Sequence, residues 1–262
     1  MTAFDLYKAG KLADALHAQL QAVKDNPGDP NRRVFLFELS TFAGDLDRAR
    51  RQIEAVKYDE PERDAAVATY GQLIGAEEKR RRLFSDGLAP QFLADPPEHV
   101  TLRLDAVQRL RDKKLAEASE LVARANSLAP TLRGELNSKT FEGLRDADDL
   151  FAGVLEVMAL GNYFWVPLEL VEAMVMKPPE FPRDLLWFPA HLETAESAGD
   201  VFVPVLYPNS HLAGADDIKL GRANDWQAVE GGMMRGIGAR TFLVGDDGMN
   251  LLEWRQLQMG RD

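Results

Sequence analysis

A leucine–alanine motif recurs through the first half of the chain on a period of 34 residues. Gly10-Lys-Leu12-Ala-Asp-Ala15 returns as Gly44-Asp-Leu46-Asp-Arg-Ala49. It returns again as Lys113-Lys-Leu115-Ala-Glu-Ala118, 103 residues after the first and close to three periods on. A proline follows each alanine at twelve residues: Pro27, Pro61 and Pro130. A unit of this length cannot bury its apolar side alone, so copies must stack. Leu46, Ala49, Ile53 and Val56 share one helical face at spacings of 3, 4 and 3. The small alanine admits a neighbouring helix closely. Proline is expected to stop the second helix of each unit, because it breaks the hydrogen-bond ladder.

A 34-residue period of this form is the signature of tetratricopeptide (TPR) hairpins. The copy expected near residues 78–96 is degenerate, with Arg80 and Leu83 where leucine and alanine belong. Its slot holds Glu77-Glu-Lys-Arg-Arg-Arg-Leu-Phe84, read either as a solvated helix face or as a basic docking strip for an acidic partner. Only nine residues precede Gly10, so the array is short and needs a cap, for which the second half is the obvious source. Stacked hairpins leave a concave groove suited to an extended peptide or a single helix. The first half therefore reads as an interaction module.

The two halves differ in charge. Residues 1–130 hold 20 Lys+Arg against 21 Asp+Glu, whereas residues 131–262 hold 11 against 21. All four tryptophans (Trp165, Trp187, Trp226 and Trp254) lie in the second half. This shift places a domain boundary near Pro130, giving 1–130 and 131–262. A net charge of −11 argues against nucleic acid and anionic membranes as partners. The absence of cysteine removes disulfides, thiol catalysis and Cys-ligated zinc. Met1–Asp5 lacks the marks of a secretory signal. The apolar stretch Val154–Met176 is broken by Glu156, Gly161, Asn162, Pro167, Glu169 and Glu172, short of the roughly 18 residues of a membrane span. The expectation is a cytoplasmic protein.

Short strands separated by Gly and Pro characterise the second half. Leu155–Leu160 and Tyr163–Val166 read as strands joined at Gly161-Asn162. Leu168–Met174 reads as one or two helical turns, and Leu185–Leu192 and Val201–Tyr207 as strands. Arg240–Val244 and Asn250–Leu257 flank a turn at Gly245-Asp-Asp-Gly248. The expected fold class is α+β in two domains: a TPR-like α-α superhelix, then a mostly β domain, either a small barrel or a curled antiparallel sheet.

No catalytic constellation stands out. His17, His99, His191 and His211 share no ligand spacing, and neither a His-Glu-x-x-His nor a Gly-x-Ser-x-Gly motif occurs. Gly231-Gly-Met-Met-Arg-Gly236-Ile-Gly238 lacks the P-loop lysine and reads as a plain loop. Asp146-Ala-Asp148-Asp149 is the best carboxylate cluster, suited to Mg²⁺ or to acid–base pairing, against the plainer role of capping the turn at Leu150-Phe151. Glu142-Gly-Leu-Arg145 before it does not read as the apolar strand a metal enzyme would use. The tryptophans read as core before ligand groove. Arg222 and Asp225 sit at i, i+3, either as an internal ion pair or as an exposed recognition spot. No cofactor or metal is expected.

The ordered set of local motifs resembles the ImpE/SciE family, also called TagJ, of type VI secretion accessory proteins. It begins with Gly44-Asp-Leu-Asp-Arg48-Ala49, Ala76-Glu77 with Arg80 or Arg81, Asp146-Ala-Asp148 and Leu155-Glu156-Val157. It continues through Gly161-Asn-Tyr163-Phe-Trp165-Val-Pro167, Arg183-Asp184-Leu-Leu-Trp187-Phe-Pro189-Ala190 and Val203-Pro204-Val-Leu-Tyr207-Pro208. Leu220-Gly-Arg222 with Asp225-Trp226, and Gly236-Ile-Gly238, close it. The resemblance implies a non-enzymatic adaptor that binds the N-terminal helix of the small sheath subunit (TssB/VipA type) and links it to the ClpV-type AAA+ unfoldase. It marks Arg48, Arg80, Asp146, Asp148, Tyr163, Trp165, Asp184, Trp187, Arg222, Asp225 and Trp226 as motif and interaction positions. The rival readings are a divalent-metal enzyme built on Asp146, Asp148 and Asp149, and an assembly factor docking through the acidic half.

Overall fold

A computed structural model describes residues 1–260 of the chain. Seven α-helices precede the first strand: α1 (Ala3–Lys8), α2 (Leu12–Asp25), α3 (Pro30–Phe42), α4 (Leu46–Glu54), α5 (Pro61–Ser85), α6 (Glu98–Arg111) and α7 (Leu115–Leu128). The repeated motif is the tight turn inside each helical hairpin. Gly10, Gly44 and Lys113 all adopt positive φ, at 75°, 81° and 60°. The leucine two residues later opens the second helix. The motif alanines Ala15, Ala49 and Ala118 are fully buried, where helices touch. At the Gly44 turn there is a further constraint, because a Cβ there would lie 2.3 Å from the His211 ring.

The prolines act differently from expectation. Only Pro27 and Pro130 fall just beyond a helix end. Pro61 opens α5, at a first-turn position where its missing N–H costs nothing. The degenerate copy is not a hairpin at all. Without a turn residue near 78, α5 runs unbroken for 25 residues. Its charge run is not simply a solvated face: Arg80 is 4% exposed and points at the sheet.

The second half contains β1 (Arg133–Leu136), β2 (Lys139–Glu142), β3 (Leu144–Asp146), β4 (Val154–Ala159), β5 (Asn162–Pro167), β6 (Val171–Met176), β7 (Trp187–Thr194) and β8 (Ala198–Pro204). A short α8 (Asp216–Lys219) follows, then β9 (Asn224–Ala228), β10 (Met234–Gly238), β11 (Thr241–Val244), β12 (Asp247–Asn250) and β13 (Gln256–Met259). Eight strands form one antiparallel sheet in the order β2-β1-β13-β6-β7-β8-β4-β5. Among the described residues the whole is a two-domain α+β arrangement.

Side chains alternate cleanly across this sheet. Leu155, Val157, Val166, Met174, Phe188, Leu192, Val203 and Leu257 face one way, into a core shared with Phe242 and Trp254. Phe242 lies on β11, in the small sheet β12-β11-β3. The opposite face presents Val154, Met158, Tyr163, Trp165 and Trp187 to the helices. There Phe151 meets Trp165 edge-on at 5.7 Å, a contact worth about 0.5–1.5 kcal/mol beyond its buried area. Helix α5 packs on β4 and β5 and Phe37 of α3 stacks on Trp187 of β7, while Val175 and His191 on the same face are exposed.

Several boundaries depart from the sequence reading. The β4–β5 turn is Leu160-Gly161, one residue earlier than expected. Leu168–Met174 makes a single 3-10 turn and then enters β6. Strand β7 starts at Trp187 rather than Leu185, and β8 runs from Ala198 to Pro204 rather than from Val201 to Tyr207. The turn before β12 is Gly245-Asp246, so Asp247 and Gly248 already belong to the strand. The segment expected as a glycine loop includes strand β10, in which Gly236 leaves room for the Tyr207 ring, 2.3 Å from where a Cβ would sit. A short strand, β3, does precede the aspartate cluster.

Gly44→Ala is expected to destabilise the protein by roughly 2 kcal/mol or more, from left-handed backbone strain and the clash with His211. Lys113→Gly should be neutral or stabilising by about 1 kcal/mol, since glycine relieves the same strain at the third copy. Urea unfolding midpoints check both, and equal effects of the two changes would contradict the shared-turn account.

Candidate functional site

Two arrangements stand out, and marked residues meet in the first but do not line the second. The first is a buried ionic knot between the helices and the sheet. Arg80 of α5 donates from Nε and Nη2 to the Glu156 carboxylate of β4, at 2.7 and 2.8 Å, and from Nη2 to the Leu206 carbonyl. Arg240 donates to the same Glu156 Oε2 that Arg80 Nη2 reaches, and to Asp146 at 2.9 Å. Tyr207 donates to Asp146 at 2.7 Å, and Tyr163 donates to Glu156. Trp165 completes the chain with its indole N–H on the Tyr163 oxygen. Asp148 accepts from Arg235, from the Gly236 amide and from the Leu150 amide, so it caps the 3-10 turn as well as holding a guanidinium. Three guanidiniums thus face three carboxylates. Burial alone would raise the Glu156 carboxyl, but Arg80 and Arg240 outweigh it and hold it at about 2. At Asp146 burial wins over Arg240, and Asp148 adds to it, pushing that carboxyl up to about 7.

The remaining marked residues also join parts of the chain. Arg222 does not pair with Asp225. It donates to the carbonyls of Tyr7 and Lys8 at the end of α1, at 2.6 and 3.0 Å. Asp225 is exposed and accepts from the Trp226 amide, and the Trp226 ring meets Tyr207. Trp187 stacks on Phe37 of α3. Arg48 pairs with Asp45 beside the Gly44 turn. Asp184 is buried and accepts from the amides of Glu180 and Phe181, fixing the loop before β7.

That loop forms one lip of the second arrangement, a groove of about 420 Å³ across α1, α3, α4 and α5. Val34, Phe35, Ile53, Val67 and Tyr70 line it, with Phe4 and Phe181 about half exposed at its edges. Glu38 of α3 and Arg183 meet in it at 2.8 Å, and the Arg183 guanidinium lies over Phe181 and Tyr70. Burial raises Glu38 to about 7, against the pull of Arg183. Of the apolar lining, Ile53 alone was singled out from sequence, as part of the helical face around Ala49. The remaining signal was the i, i+3 pair Val67/Tyr70 on α5 and the aromatic Phe4 on α1.

Comparison with known proteins follows the same outline. The sequence model of the family described as ImpE protein matches residues 138–258. The type VI secretion system accessory component TagJ of Pseudomonas aeruginosa is 31% identical over 258 residues, spanning 98% of this chain and 90% of that protein. The crystal structure of protein VPA1032 from Vibrio parahaemolyticus has the same fold, with a TM-score of 0.89 over 99% of this chain and 98% of that one, at 24% identity.

Glu156→Gln is expected to cost about 3–5 kcal/mol, because it strips a buried carboxylate from two buried guanidiniums. The sign with pH follows from the lowered carboxyl. Glu156 contributes its full stabilisation above its ordinary value of 4.5 and loses it as pH falls toward 2. Stability measured by urea from pH 5 to 2 should therefore fall less steeply in Glu156→Gln than in the natural chain.

Proposed function

The chain belongs to the ImpE family, and on that basis we propose that it is a non-enzymatic adaptor of a type VI secretion system, working in the cytoplasm. In this reading residues 1–130 form a TPR-like holding domain and residues 131–262 brace it. The groove across α1, α3, α4 and α5 receives the N-terminal helix of the small sheath subunit (TssB/VipA type), and the complex is passed to the ClpV-type unfoldase. The observation that carries it is the groove itself: apolar, open, and bordered by half-exposed Phe4 and Phe181. An amphipathic helix buries one apolar stripe in such a groove, with aromatic edges as anchors. The marked residues then act indirectly. Arg80, Asp146, Asp148, Tyr163 and Trp165 lock helices to sheet, while Asp184 and Trp187 hold the lip and the back of the groove.

The metal-enzyme rival has less support. Asp146 and Asp148 spend their oxygens on Arg240, Tyr207, Arg235 and backbone amides, and Asp149 accepts from Arg145 and the Met234 amide.

Val67→Glu, which puts a charge into the groove, should weaken binding of a sheath-subunit helix peptide by at least about tenfold. Lys24→Glu on the outer face of α2 should leave it unchanged. Fluorescence anisotropy with the full chain reads both. Failure of the natural chain to bind any sheath or unfoldase subunit of its own system would overturn the adaptor reading.

A further inference from the structure

The groove does not end at the helices. Tyr70 and Phe181 line it and also line a second hollow of about 540 Å³, whose floor is the sheet face left open beside α5. The strand registers define that floor. Val175 pairs with His191, His191 with Asp200, and Pro189 with Phe202, so these side chains share one face. Val175 is 48% exposed in it. Around it the charges are mostly acidic. Glu180 stands exposed on the loop, Glu193 and Asp200 on the strands, and Glu135 farther along the same face. The cations nearby are Lys177, His191 beside Asp200, Arg133, which pairs with Glu142, and Arg183, which pairs with Glu38.

We infer that groove and hollow form one trough, and that its occupant is an amphipathic helix preceded by a basic segment lying on the acidic sheet face. The inference rests on reading the groove as a helix site and adds the chemistry of the partner. Tyr70 and Phe181, which line both hollows with the Glu38-paired Arg183 guanidinium over their rings, keep the path continuous. The acidic end of the trough favours the positive end of a helix dipole, so the helix N-terminus points toward the sheet. Lysines or arginines just before the helix then meet Glu180, Glu193 and Asp200. Contacts of this exposed kind are individually weak and screened by salt, so they act on encounter and on affinity at low ionic strength.

The test uses two synthetic peptides sharing one amphipathic helix, one led by a short lysine run and the other by a glutamate run. Each is titrated into the full chain by fluorescence anisotropy at low and high salt. The lysine-led peptide should bind roughly tenfold tighter at low salt, with the gap closing at high salt. The double variant Glu193→Lys, Asp200→Lys should lose the gap while still binding both peptides. Val67→Glu should weaken both. Equal binding of the two peptides by the natural chain, with Val67→Glu still harmful, would overturn the trough and leave the helix groove standing. No binding of either peptide would overturn the helix groove and the trough together.

Discussion

The angle between helices and sheet depends on one buried pairing, Arg80 with Glu156. Both side chains are almost wholly out of water, and their bidentate geometry fixes α5 against β4 in direction as well as distance. An apolar contact at the same place would tolerate sliding; two parallel N–H···O bonds do not. The cost of removing the charges from water is met by further partners: Arg240 and Tyr163 on Glu156, and the Leu206 carbonyl on Arg80. A buried network of this kind is weak as a source of net stability. Its effect here is on geometry.

The groove inherits that geometry. Its helical walls and the Phe181 lip belong to different halves of the chain, so its width is set by how the halves are joined. Two contacts trim it locally. Asp184 ties the loop that carries Phe181, and the Glu38–Arg183 pair holds that loop to α3. Farther off, Arg222 grips the end of α1, which carries Phe4. Arg80, Glu156, Asp184 and Arg222 thereby shape a groove that they do not line.

The helical half was legible where local rules govern it. The 34-residue motif marks the turns because a left-handed residue, a helix-opening leucine and a packing alanine must fall in fixed order. The reading failed at α5, where a missing turn residue meant one long helix rather than a damaged hairpin. It failed too at Arg80, because a charge run shows nothing of which member faces a partner from another domain. Glu156 inside the apolar strand Leu155–Ala159 was the available clue, since a carboxylate there demands a buried cation. Strands β1, β2 and β9 were missed because they are short and half polar, and pairing rather than propensity makes them strands. The groove was invisible for the same reason as the knot: its lining comes from four helices and a loop, joined only by tertiary packing.

The order of the chain gives the knot a direction in time. Glu156 leaves the ribosome 76 residues after Arg80, and Arg240 another 84 after that. Strand β1, at the start of the second half, pairs with β13 at its end. The helical layer is therefore synthesised with its key guanidinium still in water. The sheet cannot complete its strand order until β13 has been made. A chain truncated before Arg240 leaves Glu156 with one buried cation instead of two and β1 without its neighbour. Such a fragment lacks both the second guanidinium of the knot and the strand that joins β1 to β6, so helices and sheet are fastened by residues far apart along the chain.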